Sequence, residues 1–334
     1  SPDALKLIDD YGADAVRVGL MLSSAAGNDL LFDETLCQQG KNFANKIWNA
    51  YRLIEGWEIK EDLQQPKVAA EALQWYANHF EKTLAWVDEN FEKYRISDAL
   101  MSIYKLLWDD FCSWLLELVK PDYGQPIDQI TYTDIIALFE KNLRILHPFM
   151  PFLTEELWHF IKERKTDEAL TLSAWPQTQN FDQKLIADFE LAQQIIVGIR
   201  NFRNEKNISY KESISLYINT EAAYFSFESS IIKLGGLTAI NFTSPPEELV
   251  GGSFRINNLE LFIPTDAAED PEVEKQKLTS ELKYTRGFLA SVKKKLSNER
   301  FVANAPEKVI ALERKKAADA KEKIVLLEKN LALL

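Results

Sequence analysis

Only two cysteines occur in 334 residues, Cys37 and Cys112, far apart and without CxxC spacing. That excludes a disulfide scaffold and a cysteine-built zinc site, and it fits a reducing, cytoplasmic compartment. Glycine and proline are scarce, 12 of each, which rules out collagen-like repeats, glycine-rich linkers and turn-dense all-β folds. No apolar run approaches the roughly 18–20 residues that span a bilayer, so no membrane contact is expected. The opening Ser1-Pro2-Asp3 is neither a basic leader nor an apolar secretory segment. No glycine-rich phosphate loop, GxSxG or HExxH is found. The histidines, His79, His147 and His159, have no cysteine or carboxylate at ligand spacing, and His147, within His-Pro-Phe-Met-Pro, reads as packed or hydrogen-bonded. Glu155 and Glu156 are neighbours that diverge by about 100° on a helix. They suit a first helical turn rather than acid–base work. Neither a catalytic residue nor a metal site is expected in this chain.

What is present is an ordinary globular composition, 46% apolar and 27% charged, with net charge −12. The charge is unevenly spread. Residues 271–334 carry 15 Lys/Arg against 9 Asp/Glu, net +6, which leaves net −18 for 1–270. An acidic body with a basic end points to a polyanion contact at that end.

Residues 1–39 are mixed: Ser1 and Pro2 suit a helix start, Gly12 a break, and 25–29 a loop. From 40 to 210 the apolar spacing is helical. Phe43, Ile47, Tyr51 and Ile54 form one stripe, and further helices are predicted over 68–91, 97–119 (capped by Ser97), 132–146, from Pro151 onward, and 182–204. Short links between them predict an antiparallel bundle. Ile214–Ile218 and Leu259–Ile263 alternate, predicting a small domain of short strands with one helix. Beyond 271, Leu278, Leu282, Thr285, Leu289, Val292 and Leu296 recur in heptad steps. After Asn304-Ala305-Pro306, so do Ile310, Glu313, Ala317, Ala320, Ile324, Leu327, Leu331 and Leu334. This predicts an antiparallel coiled-coil hairpin.

Two surfaces stand out. Opposite the apolar stripe of the helix over 40–54 lie Asn42, Asn45, Lys46, Asn49 and Arg52, with Leu53 beside them. Each asparagine costs the helix ~0.6 kcal/mol relative to alanine, so three on one face imply a task. Amides suit base edges and cations suit phosphates; a polar seam against a neighbouring helix explains the pattern equally well. The second surface is the cation cluster Lys293, Lys294, Lys295, Arg300, Lys308, Arg314, Lys315 and Lys316 on both sides of the Pro306 turn. Its alternatives are phosphate contact or a merely solvated helix face, and the net excess favours phosphate.

Several segments resemble the class I aminoacyl-tRNA synthetases. Tyr11-Gly12-Ala13-Asp14-Ala15-Val16-Arg17 resembles the stretch that follows the KMSKS loop. Ala26–Asp33 and Asn42–Ala50 resemble the start of the anticodon-binding domain. Asp110–Glu117 and Leu146–Trp158 continue it in order. Leu296–Val309 resembles the C-terminal arm of the valyl branch; the isoleucyl and leucyl branches end differently. The resemblance implies a mainly α chain in four parts: a stem-contact segment (1–39), an anticodon-binding bundle (40–210), a small α/β junction domain (211–268) and a coiled-coil arm (269–334).

It also implies what lies elsewhere. The Rossmann, HIGH, KMSKS and editing parts would precede Ser1, so ATP with Mg belongs to the full-length ligase and no cofactor to this fragment, which would be inactive alone. The implied partners are tRNA(Val) and the enzyme's own catalytic domain, in a monomer. By the same resemblance, Asn45, Lys46, Asn49, Arg52 and Leu53, with Leu116 and Lys120 of a facing helix, take the anticodon. The arm cations take the outer corner of the tRNA. Asp14 and Arg17 contact its inner corner or brace the catalytic domain. The alternatives are the isoleucyl or leucyl counterpart, or a helical scaffold that binds protein and not RNA.

Overall fold

The computed structural model describes residues 3–23, 32–165, 167–220, 226–265, 271–298 and 307–333. The chain divides into two compact units: residues up to Gln193 with Ser226–Leu234, and Gln194–Phe225 with Gly235 onward. Among the described residues no helix is long and apolar enough to cross a membrane.

The first unit opens with α1 (Ala4–Tyr11) and α2 (Ala13–Ser23). The cap of α1 is Asp3, whose carboxylate accepts the Leu5 and Lys6 amides; the Ser1 cap expected from the sequence lies outside the described residues. Gly12, at φ 93°, separates the two helices in a conformation that favours glycine. Next comes α3 (Glu34–Glu55), capped by Asp33. It runs through residue 40 rather than starting there. Gly40 is a crossing point: a Cβ on it would lie 2.6 Å from the Ala15 carbonyl oxygen, and one on Gly19 would lie 2.8 Å from Cys37 Sγ. Small residues thus bring α2 and α3 into backbone contact, and α1 and α2 pack as part of the bundle.

The bundle continues through α4 (Lys67–Glu92), α5 (Ile96–Lys105) and α6 (Leu116–Val119), then α7 (Gln129–Leu146), α8 (Pro151–Ile161) and α9 (Gln183–Glu205). Between α5 and α6 the rod does not break. Leu106–Leu115 is wound as a π-helix, and the Ser113 hydroxyl reaches back five residues to the Trp108 carbonyl at 3.0 Å. Ser97 is not the cap of α5; its hydroxyl donates to the Met21 carbonyl at the end of α2, at 2.8 Å. Two-residue strands, β1 (Ile59–Lys60) and β2 (Ile127–Asp128), pair in parallel.

The largest fully buried side chains are aromatic. Trp75 stacks on Phe189 at 3.7 Å between centroids, and Tyr76 and Phe139 pack on Phe111. Each fully buried large apolar side chain contributes about 1.5–3 kcal/mol. The Tyr76 hydroxyl donates to Asn142 Oδ1 at 3.0 Å in that core. Both cysteines are buried and free. Burial pushes the Cys112 thiol up to about 12 and raises that of Cys37, so neither is a nucleophile at neutral pH.

In the second unit a four-stranded sheet has the order β4–β3–β6–β5. Strand β3 (Ile214–Ile218) lies parallel to β4 (Leu237–Asn241); the helix between them in sequence, α10 (Glu228–Gly235), belongs to the first unit up to Leu234. β5 (Gly251–Ile256) and β6 (Leu259–Pro264) form a hairpin, and β6 pairs antiparallel with β3. Ile214, Leu216 and Ile218 are buried and alternate with half-exposed Ser215 and Tyr217, the expected period of a strand covered on one face. The end of α9 packs on β5: Gly198 meets Phe254, and Phe202 lies against Gly252.

The arm is α11 (Pro271–Leu296) and α12 (Glu307–Leu333), packed together. At ~1.5 Å per residue each helix is about 40 Å long. Among residues whose side chains are described, every heptad position named above is buried or half-buried, including Glu313 and Thr285. Arg286–Glu328 and Lys323–Glu281, each at 2.7 Å, tie the helices on opposite flanks of the seam.

Candidate nucleic-acid interface

Helix α3 presents its polar face to solvent. Asn42, Asn45, Asn49 and Arg52 are exposed, Lys46 is half-buried, and Leu53 is 41% exposed. Gln38 donates to Asn42 Oδ1 at 2.9 Å. No described residue bonds the side chains of Asn45, Asn49 or Arg52, so the seam reading of this face does not hold. Phe43, Ile47 and Ile54 hold the opposite face in the core.

The rims of this face are aromatic. On one side the Lys46 ammonium lies 5.7 Å from the ring centre of Trp108, on the π-helical stretch. Trp108 is half-buried and stacks on Tyr104 at 5.5 Å and 11°; Tyr104 in turn lies 4.6 Å from buried Phe43. On the other side half-buried Trp48 lies 5.8 Å from exposed Phe160, which stacks at 6.0 Å on Tyr51, a buried member of the apolar stripe. An amide-rich strip between such rims offers hydrogen bonds to base edges and π-faces for unpaired bases. Trp108 and Tyr104 were not singled out by the sequence reading. Their signal is weak, because a π-helix shifts the side-chain register that a 3.6-residue period assumes.

The facing helix differs from expectation. Leu116 is 2% exposed and belongs to the core on α6, so it is no wall of an open pocket. Lys120 is half-exposed; its ammonium pairs with Glu117 at 2.6 Å, and its carbonyl accepts from Lys233 Nζ at 2.9 Å.

Asp14 and Arg17 act together on the α7–α8 turn. The Asp14 carboxylate accepts the amides of Phe152 at 3.3 Å and Leu153 at 2.7 Å, capping α8 from a distant segment. Burial raises its pKa against the pull of those bonds. Arg17 donates to the carbonyls of Pro148 at 2.9 Å and Phe149 at 3.4 Å. The pair braces the chain's own 148–153 turn. Because α8 begins at Pro151, Glu155 lies beyond its first turn. It instead accepts the Leu170 amide and pairs with His159 at 3.1 Å.

Two histidines therefore have carboxylate partners in space, His159 with Glu155 and His79 with Asp110 at 3.0 Å. Among the described residues no group of three or more His, Cys, Asp or Glu could hold a metal ion, and no ATP–Mg step is assigned to any of them. His147 is half-buried, with Nδ1 2.7 Å from Thr154 Oγ1. That hydroxyl gives its proton to the Met150 carbonyl, so Nδ1 donates to it. Burial lowers the pKa of His147. A folded pKa below the unfolded value of ~6.5 means that the unfolded chain takes up the proton first. Stability is then full above that value and falls as pH drops through it. Urea melts between pH 7.5 and 5.5 should show this loss in wild type and a flatter profile in His147→Gln; parallel profiles would refute it.

On the arm, Lys293, Lys294, Lys295, Arg314 and Lys315 are exposed and Lys316 is half-exposed. Arg300 and the Pro306 turn lie outside the described residues, as does the side chain of Lys308. Lys316 pairs with Glu313 at 2.8 Å, and Lys295 stands 4.0 Å from the same carboxylate.

Residues 74–218 match a family model described as the anticodon-binding domain of tRNA ligase, and 270–334 one described as the valyl tRNA synthetase tRNA binding arm. A valine--tRNA ligase of Christiangramia forsetii is 53% identical over 337 residues, covering 100% of this chain and 38% of that protein. One from Parabacteroides distasonis is 47% identical over 336 residues, with the same coverage. One from Clostridium perfringens is 34% identical, covering 96% of this chain and 38% of its own length. The chain thus spans about 38% of the length of these curated relatives. A solved ternary complex of Agrobacterium radiobacter K84 agnB2 LeuRS with tRNA and LeuAMS shares 17% identity and a TM-score of 0.39. It covers 55% of this chain and 21% of that one, a likeness too slight to bear on function.

Proposed function

Because the chain aligns along its whole length with the C-terminal region of valine--tRNA ligases, we propose that it is the tRNA-holding part of such an enzyme. The full-length enzyme would join valine to tRNA(Val) with ATP. In this reading the exposed face of α3, with Asn45, Lys46, Asn49, Arg52 and Leu53, takes the anticodon loop. Lys120 stands at its margin and Leu116 supports it from the core. The arm, with Lys293, Lys294, Lys295, Arg300, Lys308, Arg314, Lys315 and Lys316, takes the outer corner of the tRNA. Asp14 and Arg17 hold the α7–α8 turn in place. The observation that carries the reading is the open amide face of α3, flanked by aromatic rings on a packed helical bundle; such a surface suits single-stranded RNA recognition.

An electrophoretic titration tests it, comparing a tRNA that bears a valine anticodon with one whose anticodon loop is replaced. The first should bind more tightly, and both affinities should fall as salt rises. Equal affinities without salt dependence would overturn the proposal.

A further inference from the structure

The two flanks of the arm carry different charge patterns. Glu281–Lys323 closes one flank, and Arg286–Glu328 the other. One heptad from Arg286 along α11 stands Lys293, and one heptad from Glu328 back along α12 stands Lys321. The antiparallel register therefore sets Lys293 opposite Lys321, where the preceding step sets arginine opposite glutamate. Arg314, a heptad further along α12, extends the same row. These three cations rim a groove of about 400 Å³ floored by Leu296, Ala317 and Ala318. None of the three has an acidic partner among the described residues. The carboxylate that borders the groove, Glu322, pairs with Arg255 of β5 at 3.4 Å.

Facing flank positions in a coiled coil ordinarily carry opposite charges, and like charges there weaken the pair. Three cations in a row, converging over two alanines that lower the floor, make a trough for a repeating anion. We propose that this groove grips the sugar–phosphate backbone of a folded RNA, with phosphates between Lys293, Arg314 and Lys321. The outward Lys294 and Lys315 attract the RNA from a distance. The proposal rests on the reading that the arm touches RNA, and it adds which face does so and Lys321 as a contact.

The test uses the full chain and a tRNA with a valine anticodon, titrated over a series of salt concentrations. Lys293→Ala with Lys321→Ala should lower the slope of log affinity against log salt by about 2 and weaken binding about tenfold. Lys294→Ala with Lys315→Ala should change the slope by less than half as much. Lys321→Glu alone sets an opposite charge against Lys293. It should raise the melting temperature while weakening binding, a pairing of effects that a purely structural lysine would not give. An unchanged slope in the groove variant, with a flattened one in the outward variant, would overturn the groove and leave the tRNA reading intact. So would a Lys321→Glu protein that melts no higher than wild type. Wild-type binding that ignores salt would overturn both.

Discussion

Replacing Arg203 with methionine should cost the second unit about 3–5 kcal/mol, a large share of the stability of any domain. The guanidinium is 2% exposed and touches carbonyl oxygens. Nε donates to Gly235 at 3.1 Å, Nη1 to Ser209 at 2.9 Å and Glu212 at 3.0 Å, and Nη2 to Gly236 at 2.7 Å. Burial pulls its pKa below the usual arginine range, yet the charge is held by converging dipoles. One side chain thereby joins the end of α9, the loop before β3 and the turn into β4, where Gly236 has φ 66°. Methionine keeps much of the volume and takes the donor from four carbonyls, that of Gly235 buried and those of Ser209, Glu212 and Gly236 partly buried. Each such orphan costs about 1–3 kcal/mol before relaxation or water entry. Lysine, with a single ammonium, reaches only part of the set and should fall between. Hydrogen exchange on the full chain is the direct check. Amides of β3 and β4 should lose protection while those of α4 and α7 keep theirs. A loss below about 1 kcal/mol would show that the carbonyls find other donors.

The second large effect concerns α3. Converting Asn45, Asn49 and Arg52 together to alanine should weaken binding of a tRNA with a valine anticodon by about 10–100-fold, at roughly 1 kcal/mol per lost contact. The preference over a tRNA with a replaced loop should largely vanish. Stability should move the other way, because each asparagine-to-alanine change favours the helix by ~0.6 kcal/mol and no described residue bonds these side chains. Lys46 and Leu53 stay in place, so the contact with Trp108 is undisturbed. A variant that melts earlier yet discriminates as well as wild type would return the face to a structural role.

Much of this architecture could be read from apolar spacing. The arm's seam follows its heptads residue by residue, because a two-helix hairpin has one buried stripe and nothing competes with it. Strand β3 was legible for a similar reason, since one covered face imposes the alternation. The failures share a different cause, namely partners far away along the chain. Asp14 caps a helix that begins 137 residues later, so Glu155 was assigned a role already filled. Ser97 looked like a cap and bonds Met21 instead. Gly40 read as a helix start, although it is where α2 crosses α3. The π-helical stretch is invisible to a 3.6-residue period, and with it went the partial exposure of Trp108 and the burial of Leu116 just beyond its end. The α3 face was legible as an oddity of composition, but its openness is set by which helices pack beside it, which apolar spacing does not encode.

Glu313 has a consequence for the arm as a measuring device. Its carboxylate is lodged in the greasy stripe between the two helices, with one oxygen buried and lacking a hydrogen bond and two ammonium groups nearby. If one helix slid past the other by a heptad, this acid would keep Lys316 of its own helix but lose Lys295, which meets it from across the seam. Sliding is therefore penalised in both directions, and the distance from base to fingertip stays constant.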